Sequence, residues 1–339
     1  MNMGKVHQCK LLFMGFLIGV AATYGALAFK DTSTLGPVVL IRETMPQYRL
    51  VTPLLACNAQ NFESDKEGMA LKNALTKVIN EEKNLGHAKN ISIYFQKLLD
   101  GRWIGIDDNR QYNPASLLKT VLMISYVFKS EKEPELFSQT YTYTQEIADQ
   151  ERALADYAPT TLRVGVDYGV GNLIDLMIKS SDNGAKALLL AHVDTQILNK
   201  TNADLGLPPL GKGDAPILVS PKQYSLVFRI LYNATYLSRE YSNIALEVLA
   251  RTTFKNGLRS GVPEDTTVAH KYGEYIEAAQ DGTVANAELH DCGIVYQENS
   301  PYLLCIMTSG TSVNTLSEVI ARLARVTYNI LDSQGQVAE

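Results

Sequence analysis

Ser116-Leu117-Leu118-Lys119 sets a hydroxyl and an amine three residues apart at the head of an apolar run, Val121 to Phe128, that Asn113-Pro114-Ala115 opens. Proline suits a helix start, and a spacing of three puts both side chains on one helix face. A serine at the positive end of a helix gains from the dipole as its oxygen turns negative. A lysine one turn on, partly desolvated and near that same positive end, releases its proton more easily and becomes usable as a base. The chemistry this fits is attack by an activated hydroxyl on a carbonyl carbon. The plain alternative is an ordinary helix start with a surface lysine, since composition alone produces an S-x-x-K about once in a chain this long.

Two further clusters carry related chemistry. In Ser181-Asp182-Asn183, a second hydroxyl beside the first lysine can relay a proton to a leaving nitrogen. The asparagine amide can hold both a substrate carbonyl and the lysine. The plain reading is a polar turn between helices, with Ser and Asp capping a helix from Asn183 to His192. His270-Lys271-Tyr272-Gly273-Glu274 falls on a predicted strand. A lysine there adds positive charge for a substrate carboxylate, and Gly273 admits the close approach of a ligand backbone. The alternative is an edge-strand lysine that serves solubility.

The elements that must position these residues follow from periodicity. Leu71, Leu75, Val78 and Ile79 recur at helical spacing between Met69 and Glu82. Ile91 to Leu98 and Arg102 to Asp107, parted by Leu99-Asp100-Gly101, read as a hairpin. Residues from about 110 to 258 are helical in pattern with polar loops. Val268 to Tyr272, Glu288 to Tyr296 and Tyr302 to Met307 read as three more strands, and Ser317 to Leu331 as an amphipathic helix (Val319, Ile320, Leu323, Val326, Ile330). The expected fold is α+β and two-lobed: a five-stranded antiparallel sheet flanked by the N- and C-terminal helices, with an inserted all-helical lobe. A site between the lobes draws residues from both.

The 339 residues hold 46% hydrophobic and 20% charged side chains, which excludes general disorder. With 31 Lys and Arg against 36 Asp and Glu the formal charge is −5, so no basic field is available to grip nucleic acid. Residues 1–29 read as a signal or membrane anchor: Lys5 and Lys10 precede a charge-free stretch from Leu11 to Phe29, and Ala26-Leu27-Ala28 offers a cleavage pattern. The two lysines put the N-terminus in the cytoplasm and the rest of the chain outside, in periplasm or at the cell surface. Residues 30–65 read as an extracytoplasmic tether, and Leu54-Leu55-Ala56-Cys57 as a chance likeness to a lipoprotein box. The four cysteines form no CxxC or Cys/His cluster, so a structural zinc site is not expected. Cys292 and Cys305 flank a turn near Glu298-Asn299-Ser300 and could face each other as a bridge in an exported compartment. The other reading is two small buried apolar residues.

In their order, Ser-x-x-Lys at 116, Ser-Asp-Asn at 181 and Lys-x-Gly at 271 resemble the three-part signature of class A β-lactamases and penicillin-binding proteins. The flanks YGVGNLIDLMIKSSDNGAKAL and HDCGIVY are similar too, and the resemblance covers about residues 66–335. It implies a serine hydrolase that opens a β-lactam or a D-Ala-D-Ala peptide, with no metal or organic cofactor. By similarity Ser116 is the nucleophile, Lys119 activates it, and Ser181 passes a proton to the departing nitrogen. Asn183, Lys271, Tyr272, Gly273 and Glu274 bind substrate, with the N–H groups of Ser116 and Glu274 as oxyanion hole. A penicillin-binding sensor or a non-catalytic wall-binding module is the reading from another class.

Two departures stand out. Tyr272 replaces the usual small hydroxyl residue between Lys and Gly. The glutamate that activates the deacylating water in class A enzymes has no counterpart, because no glutamate occurs between Asn183 and Pro221. Of Asp194, Asp204 and Asp214, Asp204 lies nearest the expected place, yet Asn202 to Leu207 reads as a helix end capped by Gly206. Acylation with slow deacylation is the expected outcome.

Overall fold

The computed structural model describes residues 47–52, 66–153, 160–208 and 217–335. Residues 1–29 with Ala28, most of the expected tether, Cys57 and Asp214 lie outside them. Among the described residues no helix is long and apolar enough to cross a membrane.

The domain opens with α1 (Lys66–Asn84), β1 (Asn90–Lys97) and β2 (Trp103–Ile106). A 3-10 turn (Ala115–Leu117) runs into α2 (Leu118–Ser130), followed by β3 (Thr140–Thr142), α3 (Gln145–Ala153), β4 (Asp167–Gly169) and α4 (Val170–Lys179). Next come α5 (Asn183–His192), α6 (Thr195–Asp204), α7 (Pro221–Tyr232) and α8 (Arg239–Ala250). The chain returns through β5 (Thr267–Ala278), β6 (Val284–Tyr296) and β7 (Tyr302–Gly310) to α9 (Val313–Gly335). The five long strands form one antiparallel sheet in the order β2-β1-β7-β6-β5, so β5 is an edge.

Strand alternation divides the core in two. Ile91, Ile93 and Phe95 of β1 and Tyr302, Leu304 and Ile306 of β7 face α1 and α9, where they meet Leu71, Leu75, Leu316, Ile320 and Leu323. Tyr94, Leu303, Cys305 and Met307 face the other way, onto Val121, Ile124, Tyr224 and Phe228 of the helical lobe. Covered on both faces, these strands read as continuous apolar runs, and each fully buried large side chain contributes about 1.5–3 kcal/mol.

The structure adds three features to the sequence reading. Among the described residues of the inserted lobe, β3 and β4, three residues each, pair as a ribbon joining Thr140 to Gly169 beside the helices. β5 and β6 stay paired out to Ala278 and Val284, whereas β7 ends opposite Ala287, so the tip of this hairpin extends past the sheet. Part of the expected tether is docked: Leu50 and Val51 are buried, Leu50 N donates to Asn243 Oδ1 at 3.2 Å, and Tyr296 donates to Leu50 O at 3.0 Å.

Cys292 and Cys305 are register partners on β6 and β7 and form a disulfide, with their Cα atoms 3.9 Å apart. The bridge, and not a pair of free thiols, is thus what the fold realises. It closes a 13-residue separation, and removing such a cross-link costs about 3 kcal/mol. Alkylating the denatured protein without reductant should leave Cys292 and Cys305 unmodified in peptide mapping; modification at both would refute the bridge.

Candidate active site

The turn that carries Ser116 is held from several sides. Ala115 lies at φ 46°, a left-handed conformation unusual for a residue with a side chain. Asn113 spans it: its Oδ1 accepts from Ala115 N at 2.9 Å, its own N donates to Glu288 Oε2 at 3.0 Å, and its carbonyl contacts His290 Nε2 at 3.0 Å. On the other side the Tyr224 hydroxyl donates to Leu117 O at 2.8 Å. Ser116 itself is half-buried, and Lys119, one turn along, is buried.

β5 presses directly on this turn. A Cβ at Gly273 would lie 2.7 Å from Pro114 O and 3.2 Å from Leu117 N, so no larger residue fits. The glycine therefore admits the backbone of the Ser116 turn. The close Cα approach of Cys292 and Cys305 marks a non-hydrogen-bonded pair, so the Cys292 main chain turns toward β5 and its partner Lys271. By alternation, Lys271 and Gly273 bond to β6, while the N–H and C=O of Tyr272 and Glu274 point out of the open edge.

Ser181 sits between the two lysines. Lys119 Nζ donates to Ser181 O and Asn183 Oδ1, each at 2.6 Å, and to Ser181 Oγ at 3.1 Å. Lys271 Nζ donates to the same Oγ at 3.0 Å and to Tyr272 O at 3.2 Å. Ser181 is held at φ 56° by its successor: Asp182 caps α5 through Ala185 N at 2.8 Å and ties down Thr161 N at 2.6 Å. The helix that begins at Asn183 is the one expected from the sequence.

Lys271 has no exposed surface. Burial strips water from its ammonium and lowers its pKa to about 7, countered in part by the Asp291 carboxylate. Its nitrogen lies 4.2 Å from the centroid of the Tyr272 ring, which stacks on Phe254 at 4.0 Å. Burial raises the pKa of the Tyr272 hydroxyl. Asp291, absent from the sequence-based list, is fully buried, takes His270 Nδ1 at 2.8 Å and accepts from Leu258 N at 2.9 Å.

Lys119, Ser181, Asn183, Lys271 and Tyr272 thus meet in one cluster, Gly273 abuts the Ser116 turn, and Glu274 is exposed beside it. Asp204 is elsewhere engaged. It ends α6 in an ion pair with Lys200, which lowers its pKa, and Gly206 follows at φ 63° as the expected cap. The sequence reading also passed over the Asn113–Glu288–His290 brace, Tyr224 and Phe254.

The buried amine of Lys271 has a cost in stability. Its folded-state pKa lies below 10.5, so the unfolded chain binds more protons between about pH 7 and 10.5, and stability from this group rises across that window. Lys271→Met should be more stable than the parent by a few kcal/mol at pH 6, on the order set by 1.36 kcal/mol per unit. Denaturant unfolding should show this gap narrowing as pH rises to 10; a gap independent of pH would count against the assignment.

Residues 70–331 match the model of the beta-lactamase enzyme family. Solved structures share the fold. A leucine-to-glutamate mutant of PBP-A, as its acyl-enzyme complex with penicillin G, aligns with TM-score 0.63 at 19% identity, covering 78% of this chain and 97% of that one. A β-lactamase from Chitinophaga pinensis aligns with TM-score 0.64 at 22% identity, covering 76% and 99%. The class A β-lactamase from Mycobacterium abscessus aligns with TM-score 0.63 at 21% identity, covering 77% and 99%. No curated protein matches in sequence. Matched by one family model over most of its length, and folded as that family's solved members are, the chain belongs to the beta-lactamase enzyme family.

Proposed function

We propose that the protein is an exported serine acyl-transfer hydrolase that opens β-lactam rings through an acyl-Ser116 intermediate and releases the product slowly. The observation that carries this reading is the convergence of Lys119, Ser181, Asn183 and Lys271, from three separate parts of the chain, on one hydrogen-bonded cluster a helical turn from Ser116. Lys119 takes the Ser116 proton as Oγ attacks the carbonyl, and Ser181 protonates the departing nitrogen. Asn183 and the outward main chain of β5 position the substrate. The N–H groups of Ser116 and Glu274 receive the oxyanion, a contribution of about 3 kcal/mol per donor in acyl transfer generally.

Slow release follows from the acids nearby. Between Asn183 and Pro221 there is no glutamate, Asp194 caps α6, and Asp204 is paired with Lys200. Export is supported by the disulfide, which suits an oxidising compartment, and by the charge-free stretch Leu11 to Phe29 after Lys5 and Lys10. A single N-terminal helix retained in the membrane is the matching form of attachment. The open edge of β5 favours a second substrate class, a D-Ala-D-Ala peptide, whose extended backbone could pair with the main chain of Tyr272 and Glu274.

Intact-mass spectrometry after adding penicillin G should show a one-to-one adduct that persists for minutes and is absent from Ser116→Ala. Lys119→Met should slow adduct formation by about 10²–10⁴-fold. Turnover near the ~10 s⁻¹ typical of enzymes would refute slow deacylation, and no adduct at all would refute the acyl-enzyme reading.

A further inference from the structure

Glu274 stands beside the place that the departing half of a substrate must take. Gly273 presses on the Ser116 turn, and the next residue of β5 is Glu274, exposed at the open edge of the sheet. By alternation its side chain rises on the same side of the strand as that of Tyr272. Among the described residues its carboxyl has no hydrogen bond or ion pair. Given acyl transfer to Ser116 as proposed above, we infer that Glu274 selects a substrate whose departing half carries an ammonium group close to the scissile bond, where a penicillin or a D-Ala-D-Ala peptide carries a carboxylate.

The placement follows from the two ends of the reaction. The carbonyl carbon sits at Ser116 Oγ, its oxygen at the N–H groups of Ser116 and Glu274, and the departing nitrogen at Ser181 Oγ. In a penicillin, the carbon bonded to that nitrogen bears the carboxylate. A substituent on this carbon is held between Ser181 and β5, alongside Tyr272 and Glu274.

The charge at that place is negative. Burial first, then the charges of Glu274 and Asp291, raise the pKa of the Tyr272 hydroxyl. Asp291 is the register partner of Tyr272 and is fully buried. Lys271 has no exposed surface, and its ammonium is turned to Ser181 Oγ, Tyr272 O and the Tyr272 ring. The other charged groups nearby are engaged: His270 with Asp291, Arg251 with Asp175, and Arg259 with the carbonyls of Pro263 and Glu264. Lys255, exposed next to Phe254, is not among the groups that act on Glu274 or Tyr272.

A carboxylate brought here meets like charge, at a greater cost in a half-sheltered site than in open water. An ammonium is attracted. It also compensates Glu274 itself, whose pKa is raised by the partial loss of its hydration. Glu277 supplies an internal comparison. It is exposed on the same strand three residues on, and by alternation its side chain rises on the Gly273 side, away from that of Glu274.

The test uses penicillin G, its methyl ester and its diethylaminoethyl ester, whose departing halves are anionic, neutral and cationic at pH 7. Acylation rate constants are measured in the parent, Glu274→Gln, Glu274→Lys and Glu277→Gln, and each is divided by that compound's rate of ring opening by hydroxide. The parent should favour the cationic ester over the acid by about 10–100-fold, with the methyl ester between them. Glu274→Gln should shrink that ratio about tenfold, and Glu274→Lys should invert it. Glu277→Gln should keep the parent's ratio. All Glu274 variants retain the main-chain N–H, so the ratio reports the side chain alone. A parent that favours the acid, a ratio that survives Glu274→Lys, or an equal loss in Glu277→Gln would overturn selection by Glu274. A parent that forms no adduct with any of the three compounds overturns acyl transfer and this selection together, a result distinct from an altered order of rates.

Discussion

The site depends on a single oxygen, Ser181 Oγ, gripped by amines from α2 and β5. Neither lysine has bulk water to solvate it, so each relies on this hydroxyl and a few carbonyl oxygens. The backbone of Ser181 is bent into the left-handed region to present both its oxygens, a conformation costing about 1–2 kcal/mol for a residue with a side chain. It persists because its neighbours over-determine it: the Asp182 cap on one side and the Lys119 hydrogen bond to Ser181 O on the other.

The sheet supplies the second fixed point. Lys271 is paired with Cys292, which is bonded to Cys305, whose partner on the next strand is Tyr94. A lysine on an edge strand is thereby referenced to the middle of the sheet. A one-residue slip of β5 would send Lys271 to the opposite face and Tyr272 to its place. The cross-link holds β6 and β7 in register, and Gly273 locks β5 against the Ser116 turn.

Much of this was legible in the sequence because the signals are periodic or punctuated. Leu71, Leu75, Val78 and Ile79 mark α1, and Asp182 marks the first turn of α5. The three motifs named most of the polar cluster. What escaped lacks a local signature. The outer half of the β5–β6 hairpin is exposed on both faces, so Tyr275 to Ala278 shows no alternation to read. β3 and β4 are too short for any period. Asp291 and His270 meet only through strand register, and Phe254 reaches Tyr272 from a loop 18 positions away in sequence. The disulfide stayed open between two readings because register across a five-residue turn is not fixed by spacing alone.

The hydrogen bonds that build the cluster span 62 and 90 residues of sequence. Lys119 is synthesised early, Ser181 midway, and Lys271 only after the whole helical lobe. A nascent or unfolded chain therefore holds its serines and lysines apart as ordinary, fully hydrated side chains, with no polarised hydroxyl and no depressed amine. The polar cluster therefore comes into being only when the last strands dock, and the helical lobe alone cannot assemble it.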